Sequence, residues 1–393
     1  MKKKLLFVIP SLAAGGAEKS LVNLLAELDY SRYEVDLFLF SKNGLFLPQV
    51  PEEVNILANS TDLLTFQLPL PSSLKLFLKK LQFKLTWARI MFFLINRFYG
   101  NKNIAEQKSW KYIAASILPL KENYTAAIGF LEKSSIYLVV DKVISQNKIG
   151  FIHTYYPKLK TDLQFDQTYF SALNKVLLVS KHCEIDFKTV FPEFASKSMV
   201  LHNINSPHLI RNLSVQLNPD LKSNAVISVG RLETVKGFDL AVEAAHILQQ
   251  DKVDFHWYII GDGNEKRSLE QQIATYHLEN HFTFLGLKAN PYPYIKNAKI
   301  FVQPSRYEGK SIAIDEAKIL AKPIILTDFT TARDQVENGV TGIICEMSAS
   351  SLAESIVKYF EEKHFTQKII ANLQSKDYGT EEEIEKFYQV LNA

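Results

Sequence analysis

The chain has 393 residues, of which 47% are hydrophobic and 22% are charged. This composition excludes a disordered chain, and the length is enough for two domains of ordinary size. With two cysteines, Cys183 and Cys345, the chain has neither a disulfide framework nor a cysteine-rich zinc site, as is typical of a reducing compartment. The net charge of +3 is uneven, because residues 72–112 carry +8 and leave −5 for the rest.

The first residues, "MKKKLLFVIPSLAAGGAEK", are similar to a signal peptide. Their apolar run is short, however, and Pro10 interrupts it before a glycine pair and an amphipathic helix. We therefore predict a buried strand over 5–10. No run in the sequence approaches the roughly 18 apolar residues that a membrane-spanning helix requires.

Short apolar, β-branched runs alternate with helical patterns along most of the chain, which predicts parallel sheets covered on both faces. A first series of strands is predicted at 5–10, 33–40, 126–131, 148–153, 175–180 and 199–204. The polar segment 205–224 is predicted to be a linker. A second series follows at 225–230, 255–261, 282–286, 299–305 and 323–327. Two doubly wound α/β domains result, with ligand-binding residues expected just after the strands.

The first such loop carries Gly15 and Gly16, directly before a helix with an apolar stripe. Glycines let a ligand approach the backbone, and a helix N-terminus offers free N–H groups to anionic or hydroxylated ligands. A tight strand-to-helix turn would explain the same pair, and the two glycines alone do not decide between the readings.

Residues 74–98, "LKLFLKKLQFKLTWARIMFFLINRF", mix basic and apolar residues at helical spacing. One stripe is expected to contain Leu74, Phe77, Leu78, Leu81 and Leu85, with Lys75, Lys79 and Lys80 largely off it. Such a helix can lie in an anionic membrane surface. An ordinary helix pair with a solvated basic face is the alternative. Nucleic-acid binding is less favoured, because no binding module accompanies the charge.

The loop of "GRLETVKGFDL", which begins at Gly230, places Arg231 at a strand end and Lys236 before the next helix. Arginine can grip two oxygens and lysine adds a point charge, so the pair suits a diphosphate. Two solvated surface charges are the alternative. In the next loop, Gly261-Asp262-Gly263, the aspartate is expected to cap a sharp turn.

The stretch "PSRYEGKSIAIDEAKILAKPIILT" places Glu308 in a loop and Glu316 inside a helix predicted over about 311–320. That helix would leave the N–H groups of Lys310, Ser311 and Ile312 free to bind phosphate. Glu308 could reach the hydroxyls of the group that the phosphate carries.

Glu316 falls in the apolar stripe of this helix, with Ile312, Ala313, Ala317 and Leu320, whereas Asp315 and Lys318 fall on the face expected to be solvated. A buried carboxylate needs a partner, and ribose hydroxyls or Arg231 would be suitable. A purely structural glutamate paired with a core arginine is the alternative.

These motifs resemble family 4 of the retaining glycosyltransferases, which have the GT-B fold. The matching segments are "GRLETVKG", "IIGDGNE", "FLG", "QPSRYEGKSIAIDEA" and "DQVENGVTGIIC", in the family's order and spacing. In the first half, "GGAEK" and "VSKHCEIDF…VLHNIN" are similar to the family's N-terminal domain. The resemblance covers nearly the whole chain and is strongest over 225–345. Within the family, the sequence is most similar to the subgroup found in bacterial capsule and surface-polysaccharide gene clusters.

The resemblance implies a role for each matching residue. Arg231 and Lys236 would hold the donor diphosphate and stabilise it as the leaving group, and Glu308 would face the donor sugar. Glu316 would bind the nucleotide ribose. Gly16 would pack against the donor.

His153, at the end of "KIGFIH", resembles the histidine near the reacting face of the sugar. Many family members have Gly-Phe-Pro or Gly-Phe-Gly after the first glutamate, whereas Gly309 is followed here by Lys310 and Ser311.

The implied architecture is an N-terminal domain at 1–205, a nucleotide-sugar domain at 206–376, and a final helix at 377–393 that returns to the first domain, with the active site in the cleft between domains. The implied protein is an enzyme that uses a nucleotide-sugar donor, expected to be UDP-linked, and a polyprenyl-diphosphate-linked glycan acceptor. Because the sequence has no Asp-x-Asp motif, neither an essential metal nor another cofactor is expected.

The implied location is the cytoplasm, at the inner face of the plasma membrane, with residues 72–112 on the lipid surface. A non-catalytic sugar-nucleotide-binding protein with the same fold is the main alternative. An enzyme like glycogen phosphorylase is less favoured, because nothing indicates its pyridoxal-phosphate lysine.

Overall fold

The computed structural model describes residues 2–13 and 15–392. Contacts divide the chain into two compact units. The first unit comprises Met1–Ala13, Leu24–His202 and Glu383–Ala393, and the second comprises Ala14–Asn23 and Asn203–Glu382. Compared with the predicted ranges, the second unit begins three residues earlier, extends to residue 382 and takes in residues 14–23.

The first unit is built on a parallel sheet of seven strands in the order β3-β2-β1-β4-β5-β6-β7. Its strands are β1 (Lys3–Ile9), β2 (Tyr33–Leu39), β3 (Val54–Ile56), β4 (Leu120–Gly129), β5 (Val143–Ile152), β6 (Lys175–Leu178) and β7 (Ser198–Val200). The helices that precede or follow them are α1 (Gly16–Ala26, shared with the second unit), α2 (Thr61–Gln67), α3 (Leu70–Lys79), α4 (Phe83–Phe98), α5 (Lys102–Ala114), α6 (Ser134–Lys142), α7 (Leu163–Ser171) and α8 (Lys181–Val190).

The second unit contains a parallel sheet of six strands in the order β10-β9-β8-β11-β12-β13. Its strands are β8 (Ala225–Val229), β9 (His256–Ile260), β10 (Phe282–Gly286), β11 (Ile300–Gln303), β12 (Ile324–Thr327) and β13 (Ile343–Cys345). Its helices are α9 (Pro207–Leu213), α10 (Phe238–Gln250), α11 (Lys266–Thr275), α12 (Tyr292–Asn297), α13 (Ile312–Ile319), α14 (Ala332–Gln335), α15 (Ala349–Glu361) and α16 (Lys363–Gln374). The last helix, α17 (Glu383–Asn392), belongs to the first unit.

The predicted α/β class with two parallel sheets is confirmed. The central strands are continuous apolar runs because helices cover both faces of each sheet, as the buried cores on the two sides of β8 and β11 illustrate. The sequence reading missed β3 and β13, which are only three residues long and lie at sheet edges.

In each sheet, the strand order reverses between two neighbouring strands. These strands are β1 and β4 in the first unit and β8 and β11 in the second. A crevice opens beyond the carboxyl ends of the strands at such a switch point, and ligands bind there in open α/β sheets. The loops that carry Arg231, Lys236 and Glu308 follow β8 and β11, so they meet at this edge.

The predicted linker at 205–224 is partly wrong. Residues Pro207–Leu213 form α9, which begins with a proline in its first turn after the Ser206 cap. Ile210 is buried in the core of the second unit, and the carbonyl of Leu213 accepts a hydrogen bond from Asn290. Polar composition concealed a short helix that buries Ile210 and packs Leu213 against the same core.

The second unit continues beyond residue 376 because the following residues pack on it. Tyr378 lies against its core, and the hydroxyl of Thr380 donates a hydrogen bond to the carbonyl of Asn203 at 2.6 Å. The same hydroxyl accepts one from the N–H of Asn205 at 2.8 Å.

The single amphipathic stripe expected over 74–98 is also wrong. The helix breaks at Leu81, whose φ of 57° ends α3, and α4 begins at Phe83. Phe77 and Leu85 turn inward and are buried, whereas Leu78 and Leu81 are exposed. The helical hairpin α3–α4 therefore shows solvent a different apolar face from the one that periodicity indicated.

In residues 2–13 and 15–392, no helix is long and apolar enough to cross a membrane.

Candidate donor-binding site

The loop after β8 is held close to the loop after β11 by a glycine. Gly237 has a φ of +66°, and a Cβ atom built on it would lie 1.9 Å from the carbonyl oxygen of Pro304. A side chain at this position would therefore collide with backbone. The contact brings Lys236, the residue before the glycine, beside the loop that carries Glu308.

Arg306 fastens the same two loops. Its guanidinium makes two hydrogen bonds of 2.6 Å to the carboxylate of Asp239 and a third of 3.0 Å to the carbonyl of Thr234. The backbone N–H of Arg306 donates to the carbonyl of Val235 at 2.8 Å. Burial alone would raise the pKa of Asp239, but the bonds from Arg306 outweigh it and hold the pKa below its usual range. Such a bidentate pair fixes the orientation of the guanidinium relative to the carboxylate as well as the distance between them.

Lys236 and Glu308 form a short ion pair. Lys236 Nζ lies 2.6 Å from Glu308 Oε1, and the same oxygen accepts hydrogen bonds from Ser305 at 2.7 Å and Gln303 at 3.1 Å. The hydroxyl of Thr331 donates to the Glu308 carbonyl at 3.0 Å. Glu308 is buried, so its charge and orientation depend on these donors.

Arg231 does not pair with Glu316, which the sequence had suggested as a partner. Its side chain is 58% exposed and lies 3.2 Å from Glu233. Burial raises the pKa of the Glu18 carboxyl, and the positive charge of Arg231 partly opposes this. Arg231 is therefore an accessible cation at the strand end. Gly230 packs near Lys236, since its built Cβ would lie 3.6 Å from the lysine Cδ.

Glu316 is paired within the protein by a residue that the sequence reading missed. Lys19 Nζ lies 2.5 Å from Glu316 Oε1, and the Tyr292 hydroxyl donates to the same oxygen at 3.1 Å. Lys19 also lies over the Tyr292 ring, 4.4 Å from its centroid. Burial, and then the charge of Glu316, raise the pKa of Tyr292 well above its usual range. The alternative of a purely structural glutamate expected a core arginine as the partner of Glu316, and the partner is instead a lysine.

The opposite face of α13 is not solvated, so that expectation is wrong. Asp315 is buried and lies 2.7 Å from Lys318 Nζ and 3.5 Å from Lys310 Nζ. Burial alone would raise the pKa of Asp315, but Lys318 and Lys310 outweigh it and hold the pKa below its usual range. When a helix is covered on both faces, its charged side chains must pair with charges of the protein. Helical periodicity does not show that the second face is covered.

The free N–H groups expected at the start of α13 are fewer than predicted. The helix begins at Ile312 with Ser311 as its cap residue, close to the expected bounds. The Ser311 N–H, however, donates to the side chain of Gln335 at 2.8 Å. The prediction for the N–H groups of Lys310 and Ile312 stays open.

Two helices begin close together in the second unit. Gly16 is the first residue of α1, and a Cβ built on it would lie 3.9 Å from Ile312, the first residue of α13. Each N-terminus carries a partial positive charge, so their convergence favours an anion. Gly15 lies against the flexible side chain of Glu18.

His153 belongs to the first unit, directly after β5. Its ring is stacked on Phe151 with centroids 4.6 Å apart, and it lies 4.9 Å from the ring centroid of Phe130. The backbone N–H of His153 donates to the Glu132 carboxylate at 3.2 Å, and its buried ring Nε2 has no hydrogen-bond partner among the described residues. Burial lowers the pKa of His153 to about 3. The imidazole is therefore neutral at physiological pH.

The structure thus gathers most of the predicted residues around one edge of the second sheet. These are Gly15, Gly16, Gly230, Arg231, Lys236, Glu308, Lys310, Ser311, Ile312 and Glu316. Lys19, Asp239, Tyr292 and Arg306 were missed. The available signal for Lys19 was its place in "GGAEKS", one turn into the helix. Arg306 is two residues before Glu308, and could have been recognised as a clamp only with the loop contact known.

Within the part of the chain that the structure describes, no three His, Cys, Asp or Glu side chains are grouped so that they could hold a metal ion.

Comparison with known proteins gives the class of this second unit. Residues 210–376 match the family model described as "Glycosyl transferases group 1". A relative, the amylovoran biosynthesis glycosyltransferase AmsD of Erwinia amylovora, is 29% identical over 230 residues, which is 57% of this chain and 63% of the relative. An uncharacterized glycosyltransferase of Haemophilus influenzae is 26% identical over 178 residues, 44% of this chain and 50% of the relative. The matches thus span between half and two-thirds of these relatives' lengths.

Solved structures extend the similarity to the whole fold. Anabaena HepE, in complex with UDP and glucose, superposes with a TM-score of 0.67 at 19% identity and covers 100% of both chains. A glycosyltransferase from Rickettsia africae gives 0.66 at 17% identity, covering 100% of this chain and 98% of the other. The chain therefore has the GT-B fold, the two-domain fold of these glycosyltransferases.

The glycine contact yields a test of how the loops after β8 and β11 are held together. Gly237→Ala would place a methyl group against the Pro304 carbonyl and force the loops apart. We expect it to lower stability by well over the roughly 1–2 kcal/mol that a left-handed alanine costs by itself. Gly339→Ala is the matched control, because its φ is +75° and its built Cβ meets no described atom within 4 Å. Thermal unfolding of both variants measures the difference, and equal losses would contradict the loop contact.

His153 yields a pH-dependent prediction. Its folded pKa of about 3 is below the unfolded value of about 6.5, so the unfolded state binds more protons between these limits. The stability that neutral His153 contributes is complete above about pH 6.5 and is lost as the pH falls towards 3. Glu132, whose pKa is raised by burial, contributes in the opposite direction as the pH rises.

We therefore expect the unfolding temperature of the wild type to fall more steeply than that of His153→Gln between pH 7 and pH 4.5. His364→Gln, at an exposed histidine, is the control and should follow the wild type. Parallel curves for the wild type and His153→Gln would show that the imidazole is not buried as a neutral ring.

Proposed function

We propose that this protein is a retaining glycosyltransferase of family 4, which transfers a sugar from a UDP-linked donor to a lipid-linked glycan acceptor. The observation that supports this most is the arrangement at the β8–β11 edge. There, the Lys236–Glu308 pair at 2.6 Å, the exposed Arg231 and the adjoining starts of α1 and α13 surround one edge of the sheet. A nucleotide sugar presents a diphosphate for the cations and sugar hydroxyls for a carboxylate.

In the proposed reaction, the bond between the anomeric carbon and the diphosphate oxygen breaks, and its electron pair stays on the diphosphate. The acceptor oxygen bonds to the same face of the anomeric carbon, and its proton passes to the leaving diphosphate. Arg231, Lys236 and the helix N-termini would stabilise the growing negative charge electrostatically. The backbone around Lys236 is already fixed before reaction, because the Arg306–Asp239 clamp and the Gly237 contact hold its loop against the loop after β11.

In this proposal, Glu308 hydrogen-bonds the donor sugar, Glu316 the nucleotide ribose, and His153 lies near the reacting face of the sugar. Lys310 and Ser311 stand where many family members have Phe and Pro or Gly. The side chains near the donor sugar are therefore expected to differ from those of these family members, and the Lys310 ammonium is already paired with Asp315. The reaction is proposed to need no metal ion.

Membrane association is the second part of the proposal, and the α3–α4 hairpin supports it. Large apolar side chains are exposed on it, including Leu81 at 73%, Phe83 at 63%, Trp87 at 61% and Phe98 at 77%. Four lysines of the same hairpin, Lys75, Lys79, Lys80 and Lys84, are also exposed. An apolar face bordered by cations suits an anionic lipid surface, where each nearby Lys or Arg contributes about 1 kcal/mol. Such a location, at the inner face of the plasma membrane, suits a polyprenyl-diphosphate-linked acceptor.

The donor prediction is tested by nucleotide release from UDP-, GDP- and ADP-sugars, with lipid extract as acceptor and with or without EDTA. We expect release from a UDP-sugar that is insensitive to EDTA. Lys236→Ala should reduce it by roughly a hundredfold or more, because a cation on the leaving group is lost. Glu316→Ala should chiefly weaken donor binding.

Lys363→Ala, at an exposed lysine of α16, is the control and should retain wild-type activity. Nucleotide binding without release in any lipid mixture would favour the non-catalytic alternative. If the protein neither bound nor released a nucleotide, the proposal would be contradicted.

The membrane prediction is tested by intrinsic fluorescence with vesicles of phosphatidylcholine containing phosphatidylglycerol. Trp110 and Trp257 are buried, so a blue shift on vesicle addition reports on Trp87. We expect the shift to require the anionic lipid and to diminish with salt. Phe83→Ser should weaken binding, whereas Ile144→Ser, an exposed apolar residue outside the hairpin, should not. Absence of binding to these vesicles would contradict the proposal, and salt-dependent binding to duplex DNA instead would favour a nucleic-acid partner.

A further inference from the structure

Lys19 is a buried lysine for which the donor reaction as described above has no role. Its Nζ lies 2.5 Å from Glu316 Oε1, and its side chain is 11% exposed. We propose that Lys19 is a positioning residue for the donor nucleotide, which compensates the charge of Glu316 and turns its second carboxylate oxygen towards the ribose. This inference rests on the proposed function, in which Glu316 binds the ribose hydroxyls.

The first argument is the cost of an isolated charge. Glu316 is 1% exposed, and a carboxylate buried without a partner is strongly destabilised. Lys19 and Tyr292 supply the partners, and both reach Oε1. Oε2 is consequently the oxygen that a ligand hydroxyl would use. With Oε1 held on one side, rotation of the carboxylate is restricted before the ligand arrives.

The second argument is that the lysine itself is restrained. Its ammonium lies between the Glu316 carboxylate and the face of the Tyr292 ring, 4.4 Å from the ring centroid. A cation over an aromatic ring is attracted by the negative charge density of its face. The two contacts fix the ammonium, whereas most lysine side chains on a surface sample many rotamers.

The third argument is that α1 is anchored independently of this pair. Ser20 donates to the side chain of Asn203 at 2.7 Å, and Asn23 donates to the carbonyl of Ile204 at 3.0 Å. Removal of the Lys19 ammonium should therefore leave the helix in place and change only the carboxylate that it touches. The effect on the ribose can then be separated from a general effect on the fold.

The test compares the affinities of UDP and 2′,3′-dideoxy-UDP, measured by calorimetry, in the wild type and in Lys19→Met. The wild type is expected to bind UDP roughly tenfold to a hundredfold more tightly than the dideoxy analogue, which reports the ribose contact. Lys19→Met is expected to lose this preference while its affinity for the dideoxy analogue changes by less than about twofold.

Lys318→Met is the matched control, since it removes an ammonium from the other buried carboxylate of α13. It should keep the preference for UDP. Equal weakening of both nucleotides in Lys19→Met would overturn the positioning role and leave the proposed function intact, as would an undiminished preference. If the wild type bound neither nucleotide, the proposed UDP donor and this inference would fall together.

A neutral double variant covers the case in which Lys19→Met fails to fold. Lys19→Met combined with Glu316→Gln removes both charges, so neither is left buried alone. The double variant is expected to bind UDP no more weakly than Glu316→Gln alone, because both changes act on one contact. A further loss in the double variant would show that Lys19 acts elsewhere, and would overturn the inference.

Discussion

The burial of charge is the constraint on which the second unit depends. Its three central acidic side chains, Glu308, Glu316 and Asp315, are all buried, and each is matched by a lysine within 2.5–2.7 Å. Because an unmatched charge would be costly in such surroundings, the backbone that carries the lysines has to be fixed as firmly as the carboxylates. The glycine contact at Pro304 and the arginine clamp on Asp239 serve this purpose for one of the pairs. In the proposed function, the Lys236–Glu308 and Lys19–Glu316 pairs are the charges next to the diphosphate and the ribose.

The fold could be read from the sequence because it depends on local patterns. Apolar runs separated by helical spacing indicated the parallel sheets, and the helix at Ile312–Ile319 was placed to within about a residue. Lys236 and Glu308 were found because each follows a strand. Their direct contact was not foreseen, because it depends on a glycine that meets a carbonyl of another loop.

The features that the sequence did not predict depend on contacts between distant residues, or on which face of a helix other elements cover. Lys19 and Glu316 are almost three hundred residues apart in the sequence, so no local pattern joins them. Periodicity assigned Asp315 to solvent, because a charge on the far side of an apolar stripe usually is solvated. In the α3–α4 hairpin, one residue with positive φ redirected the whole apolar face. Segment 205–224 was predicted to be a polar linker, although Ile210 and Leu213 pack a helix of it against the core.

The discontinuity of both units has a consequence for how the chain folds. The segment that completes the second unit, residues 14–23, is synthesised early. Its partners around Asn203 and Glu316 are synthesised much later. The first unit in turn waits for α17, where Phe387 packs against Phe7 and Tyr388 stacks on Tyr33. Contacts between such distant segments form slowly because long loops must close first. The first unit can therefore reach its final structure only after α17 has left the ribosome, whereas the second unit can do so once the chain up to residue 382 has emerged.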